Sequence, residues 1–290
     1  MQHRTRSSSP PPLKRARRTT SPPPMENANG HGSVSGSSTH STGEHQNQHQ
    51  NQNLQPLSLS ILGVEPLDEF IKEIADFVHH MIMTRPEQHQ HPNGKVEVEA
   101  KIGVLRENRS GQRLGLPVLV ETSDTCPGIP DVRFESNMSV GGDRDKIRVT
   151  RDTNTGVVVE CMRKVRLGDL NVYCPKREAD WRVSVNLEIP MPHPVGSASF
   201  KRVKDRLSYS HEEFKIDLTQ VTSSTSPNAP PQILHELELE IARPEFLLAT
   251  AMQRGDPKAS ELERSAFDEL IRAFVNNARI LVRNASEGWQ

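Results

Sequence analysis

Hydrophobic and polar positions change period twice along the chain. Leu67, Phe70, Ile71, Ile74, Phe77, Val78, Met81 and Ile82 recur at helical spacing, with Pro66 at the start of the run and Pro86 beyond it. This predicts a helix of about 16 residues. From residue 95 to about 242 the period falls to two, interrupted by Gly, Pro, Asn and Asp clusters, which predicts an antiparallel β region. Residues 87–94 and 221–232 read as loops. From Pro257 to about Asn284 the helical period returns, with Leu262, Phe267, Leu270, Ile271, Phe274, Val275 and Leu281 on one stripe. That stripe predicts a helix packed under the sheet.

Residues 1–56 show neither period. They are rich in Ser, Pro, Gly, His, Gln and Asn, and bury too little apolar surface to offset the entropy of ordering. They are expected to form a disordered tail ahead of one folded domain, 57–290. Within the tail, Leu13-Lys14-Arg15-Ala16-Arg17-Arg18 lies between Ser9-Pro10 and Ser21-Pro22. This compact basic cluster predicts a nuclear import signal with phosphorylatable flanks.

Bulk charge does not identify a partner: 36 Lys and Arg stand against 37 Asp and Glu, a formal net charge of -1 over 290 residues. The cysteines, Cys126, Cys161 and Cys174, are odd in number and form no CxxC pair. They argue against a disulfide framework or zinc site and for a reducing compartment. No run approaches the roughly 20 apolar residues of a bilayer span, and no apolar signal core follows the N-terminus. A soluble, intracellular and nuclear protein is expected, with no membrane partner. The histidines read as solvated residues rather than metal ligands.

The arrangement of charge along the strands is more informative than its sum. Successive strand residues face opposite sides. In Lys95–Ile102, Glu97, Glu99 and Lys101 oppose Val96, Val98, Ala100 and Ile102. In His235–Ile241, Glu236, Glu238 and Glu240 oppose Leu237, Leu239 and Ile241. Arg182, Ser184, Asn186 and Glu188 oppose Val183, Val185, Leu187 and Ile189. The same pattern sets Lys215, Asp217 and Thr219 against Phe214, Ile216 and Leu218, and Arg202, Lys204 and Arg206 against Val203 and Leu207. Lys146, Arg148 and Thr150 oppose Ile147 and Val149, and Glu160, Lys164 and Arg166 oppose Val157, Val159 and Cys161.

A one-sided sheet with a solvated outer face would explain any single strand. The set is segregated by sign, however, with glutamates on two strands and mostly Lys and Arg on others. Glutamate at i, i+2 and i+4 is self-repelling and a poor strand former. A divalent cation compensates such a face, since hard cations take carboxylate oxygens. Basic side chains opposite would then hold an anion, and a polyphosphate suits the space between. If the strands closed into a barrel, the polar face would be its interior and the two helices would cover the outside.

Val96-Glu97-Val98-Glu99-Ala100-Lys101 resembles the ExExK signature of the triphosphate tunnel metalloenzymes, and His235-Glu236-Leu237-Glu238-Leu239-Glu240 resembles that family's second glutamate strand. Arg202-Val203-Lys204-Asp205-Arg206-Leu207-Ser208-Tyr209 and Asp217-Leu218-Thr219 resemble the fungal RNA triphosphatase branch, the β subunit of the fungal mRNA-capping enzyme. The resemblance covers roughly residues 60–285.

It implies an α+β, mainly β fold: an eight-stranded antiparallel barrel with flanking helices. The implied activity is hydrolysis of the γ-phosphate of nascent pre-mRNA, with Mg²⁺ or Mn²⁺ on Glu97, Glu99 and Glu240. Glu188 is similar to the glutamate that orients water. Arg148, Lys164, Lys204 and Arg206 would contact the γ-phosphate, with Arg163 in place of Lys164 if the register slips by one. Arg202 belongs to the same basic strand. Asp217, Thr219, Glu236 and Glu238 would orient the basic side chains, and Lys101 would set the charge of the floor.

Lys215 stands where the family often has Arg, which keeps charge but not a bidentate fork. No Trp precedes Trp181, so direct contact with mRNA guanylyltransferase stays open. The resemblance further implies triphosphate-ended RNA, the RNA polymerase II machinery and a homodimer as partners. Two alternatives remain at this point: a tunnel-fold inorganic tripolyphosphatase or nucleoside triphosphatase, and a non-catalytic RNA- or polymerase-binding module.

Overall fold

The structure is a computed structural model describing residues 57–58, 60–61, 63, 65, 68–85, 92–125, 132–135, 147–196, 198, 201–224 and 230–285. The basic cluster at 13–18, Pro66, Leu67, Pro86, Cys126 and Lys146 lie outside the described residues.

The first predicted helix is α1, Glu69–Met83. Asp68 caps it, its carboxylate accepting from the Phe70 N–H at 3.0 Å and the Ile71 N–H at 3.3 Å. Ile71, Ile74, Ala75, Val78 and Ile82 form its buried stripe. A short α2, Pro244–Gln253, was not anticipated. Its sequence, PEFLLATAMQ, is apolar around most of its circumference and lacks the polar face that periodicity detects. α3, Glu261–Asn284, opens at a capping box between Ser260 and Glu263 and buries Phe267, Leu270, Ile271, Phe274, Val275, Ala278 and Val282.

Nine strands are described, all antiparallel: β1 Lys95–Glu107, β2 Thr122–Ser123, β3 Val132–Glu135, β4 Ile147–Arg151, β5 Val158–Tyr173, β6 Asp180–Pro190, β7 Arg202–His211, β8 Phe214–Ser223 and β9 Gln232–Ile241. Their order is β2-β5-β6-β1-β9-β8-β7, with β3 added to β1 and β4 to β5. The expected eight-stranded closed barrel is therefore corrected among the described residues to an open sheet. Closure needs a ladder between end strands, and β7 pairs only with β8 and is exposed at all ten positions. Register shifts at Thr150/Arg151 and Arg166/Gly168 bend the sheet without joining its ends. The predicted loop at 221–232 is also shorter than expected, because β8 reaches Ser223 and β9 begins at Gln232.

One face of β1, β5, β6 and β9 packs on the three helices. Val96, Val98, Ala100, Val183, Val185, Leu187, Leu239 and Ile241 meet the stripes of α1 and α3 there. The Phe214 and Phe274 rings lie 6.4 Å apart in this core. Val157 and Val159, expected on a covered apolar face, are exposed. A smaller apolar cluster, Leu105, Leu114, Phe134 and Tyr173, forms where β3 joins β1. Gly103 permits that approach, because a Cβ there would lie 2.5 Å from the Glu135 carbonyl oxygen. No described helix is long and apolar enough to cross a membrane.

Candidate active site on the charged face of the sheet

The face away from the helices carries the predicted polar residues, and pairing brings them together. Glu97 lies opposite Asn186 of β6, and Glu99 lies opposite Ser184 of β6 and Glu240 of β9. Lys101 stands between Arg182 and Glu238. Across β9 and β8, Glu240 pairs with Lys215, Glu238 with Asp217 and Glu236 with Thr219, and Arg206 of β7 pairs with Thr219. Lys164 of β5 lies opposite Glu188. Although no described helix covers this face, Glu99, Asn186, Asp217, Thr219 and Glu236 are buried. The curled sheet and its neighbouring long side chains shield them, forming a charged trough.

The ion pairs of the predicted site residues fall into three groups. In the centre, the Lys164 ammonium pairs with Glu97 and, at 3.0 Å, with Glu99. Lys101 pairs with Glu238 at 2.7 Å and Glu99 at 3.4 Å. On the β7 flank, Lys204 meets Glu236 at 3.0 Å, and Arg202 lies 3.8 Å from the same carboxylate. Arg206 pairs with Asp217, donates to the Thr219 hydroxyl at 3.0 Å and lies 3.7 Å from Glu238. Lys215 is 3.0 Å from Asp217 and 3.9 Å from Glu240. On the β4 flank, Arg148 lies 3.1 Å from Glu188 and 3.4 Å from Glu160.

Crowding shows in the proton affinities. Burial, with the nearby charges of Glu99 and Glu188, pushes the Glu97 carboxyl up to about 7, although Lys164 opposes the shift. Burial also raises Glu240. Burial opposes ionisation of Glu99 and Glu238 as well, but their lysines outweigh it. Lys101 and Lys164 hold Glu99 low, and Lys101, Lys204 and Arg206 bring Glu238 down to about 2. Burial lowers Lys204, whereas Lys164 is raised because Glu99 and Glu97 outweigh its burial.

The register question at Lys164 has a clear answer. Arg163 lies opposite Ile147 and Ile189 and points to the other side of β5, away from the carboxylates. Strand alternation therefore removes Arg163 from the trough. Two contributors were missed as site residues. Asn186 donates to both Glu97 and Glu99, and Ser208 donates to Asp217 at 2.6 Å. Each sits two residues from a predicted site residue, Glu188 and Arg206, so strand parity alone could have flagged them.

Among the described residues, no group of three or more His, Cys, Asp or Glu is arranged to hold a metal ion by itself. The donor chemistry nevertheless suits a hard divalent cation. Glu97, Glu99 and Glu240 share one face on adjacent strands, and the Lys164 ammonium stands between two of them where a cation is electrostatically favoured.

The family model for the mRNA capping enzyme, beta chain, matches residues 64–141 and 130–287. The chain belongs to this family. The mRNA-capping enzyme subunit beta of Cryptococcus neoformans is 32% identical over 277 residues, covering 79% of this chain and 65% of that protein, just under two thirds of its length. The Schizosaccharomyces pombe subunit is 29% identical over 272 residues, covering 79% of this chain and 86% of its own. Among solved structures, the S. pombe Pct1 RNA triphosphatase in complex with the Spt5 CTD is similar at a TM-score of 0.67 and 28% identity, covering 79% of this chain and 98% of that one. The capping-enzyme β fold thus accounts for the region that forms the sheet and its helices.

Proposed function

We propose that this capping-enzyme β chain is a metal-dependent mRNA 5′-triphosphatase. It hydrolyses the γ-phosphate of triphosphate-ended nascent RNA to a diphosphate end, the first step of cap formation. The observation that carries the reading is the set of carboxylates Glu97, Glu99 and Glu240 on one face of adjacent strands, Glu99 buried and the other two partly exposed, flanked by Lys and Arg. Phosphoryl transfer demands mainly positioning and neutralisation of charge, and this face supplies both.

Glu97, Glu99 and Glu240 would hold Mg²⁺ or Mn²⁺, which when bound neutralises charge on the phosphate oxygens. Arg148, Lys164, Lys204 and Arg206 bind and orient the triphosphate. Glu188, held by Arg148, orients the attacking water. Asp217, Thr219, Glu236 and Glu238 aim the basic side chains, with Lys101, Arg202 and Lys215 tuning the charge of the walls. Closure of the sheet into an eight-stranded tunnel, by approach of β7 to the β4–β5 edge, would bring the two basic flanks together around the substrate.

The catalytic domain is residues 57–290, preceded by a tail, 1–56, that directs the chain to the nucleus. The RNA polymerase II machinery is its recruiting partner, in keeping with the Spt5 CTD bound to Pct1. mRNA guanylyltransferase acts on its product, and a second copy of the chain completes a homodimer.

The test is phosphate release from γ-labelled triphosphate-ended RNA and from inorganic tripolyphosphate, with Mg²⁺, Mn²⁺ or EDTA. The expected result is metal-dependent release from RNA that is lost in Glu97→Ala. Release from tripolyphosphate alone would replace the RNA substrate with an inorganic one, and retained release in Glu97→Ala would overturn the site assignment.

A further inference from the structure

Asn186 sits at the centre of β6, opposite Glu97 of β1 on one side and Arg166 of β5 on the other, and is 2% exposed. Its Nδ2 donates at 3.1 Å to Glu97 Oε2 and at 3.1 Å to Glu99 Oε1. The Lys164 ammonium reaches the same two oxygens. One oxygen of each carboxylate is therefore fixed by two donors. The other oxygen of Glu99 faces Lys101 at 3.4 Å.

We infer that Asn186 is a positioning residue that bridges the two β1 carboxylates and aims their remaining oxygens at the divalent cation. This rests on the metal reading above. The two donors differ in one decisive respect. Lys164 stabilises the carboxylates with a positive charge, so it competes with an incoming cation. Asn186 is neutral and holds the same oxygens without that competition. Each hydrogen of its amide meets one carboxylate, which satisfies a buried polar group and sets the spacing of two side chains that otherwise repel. Without the bridge, Lys164 and Lys101 alone set the orientation of Glu97 and Glu99, and the cation meets a pair held only by its competitors.

The test is Mn²⁺ binding to the full chain, followed by the electron paramagnetic resonance of free Mn²⁺, for wild type, Asn186→Asp and Asn186→Ser. Asn186→Asp keeps the volume and adds negative charge but offers no N–H to the carboxylates. A residue that acted only through charge or packing would leave Mn²⁺ binding unchanged or tightened. The positioning role predicts a dissociation constant raised about 10- to 100-fold in both variants, with the far-ultraviolet dichroism of wild type. In phosphate release, the Mn²⁺ concentration giving half-maximal rate should rise by the same factor, while kcat at saturating Mn²⁺ stays within a few-fold.

Asn186→Ser serves if Asn186→Asp fails to fold, since its single hydroxyl on a shorter side chain cannot make both donations. A folded variant that binds Mn²⁺ as tightly as wild type overturns the inference. A wild-type chain that takes up no Mn²⁺ overturns the metal reading and this inference with it. Wild-type Mn²⁺ uptake without RNA hydrolysis overturns only the proposed activity.

Discussion

The raised proton affinity of Glu97 makes a quantitative prediction about the metal-free fold. Its carboxyl is moved from 4.5 to about 7, chiefly by burial and then by Glu99 and Glu188. Below pH 4.5 native and unfolded chains both hold the proton, and the group costs nothing. Between 4.5 and 7 the unfolded chain releases a proton that the native chain keeps, so stability falls as pH rises. Above 7 the full penalty applies, about 3 kcal/mol for a shift of this size. Glu97→Gln is neutral throughout and escapes it.

In EDTA, the stability of Glu97→Gln relative to wild type should therefore rise by about 3 kcal/mol between pH 4.5 and pH 8, measured by urea unfolding. For a folded region of this size that corresponds to roughly 6–12 °C in Tm. Adding Mn²⁺ at pH 8 should reverse the order, because ligation stabilises ionised Glu97 and not the amide. A difference between the two proteins that does not change with pH in EDTA would refute the account of a repelling, desolvated carboxylate pair.

Other outcomes follow from single contacts. Arg206→Ala removes a cation held by Asp217 and Thr219 and should lower kcat by about 100-fold, with Arg206→Lys failing to restore it fully because the fork is lost. Steady-state phosphate release measures both. Phe274→Ala empties a fully buried position and should cost about 3–5 kcal/mol in urea unfolding while leaving Mn²⁺ affinity unchanged. Gly103→Ala places a methyl against the Glu135 carbonyl and should cost about 1–3 kcal/mol, read by the same unfolding assay.

What the sequence revealed depended on how local each signal was. Alternation assigned Glu97, Glu99, Glu236, Glu238 and Glu240 to one face because strand parity is fixed residue by residue. The stripe of α1 and most of that of α3 were legible from helical periodicity, but Leu262, read into the α3 stripe, is exposed, and α3 starts after the Ser260 cap rather than at Pro257. α2 was hidden because its residues are apolar on most sides. Openness of the sheet was not legible either, since alternation reads the same in a trough and a barrel. Asn186 was visible as a polar strand residue, but its bridging of Glu97 and Glu99 depends on the β1–β6 register, which no local pattern encodes.

The position of β1 between β6 and β9 also bears on how the molecule forms. β5 and β6, like β8 and β9, are neighbours in both sequence and space, and such hairpins can assemble early. β1 must wait for strands far along the chain, and the pairing of Glu99 with Glu240 closes a long loop. Contacts of that span slow folding, because the entropy of closure is lost before the ladder compensates for it. During synthesis the glutamates of β1 emerge well before their partner on β9. The proposed cation site, which needs all three carboxylates, would therefore be among the last features a newly made chain completes.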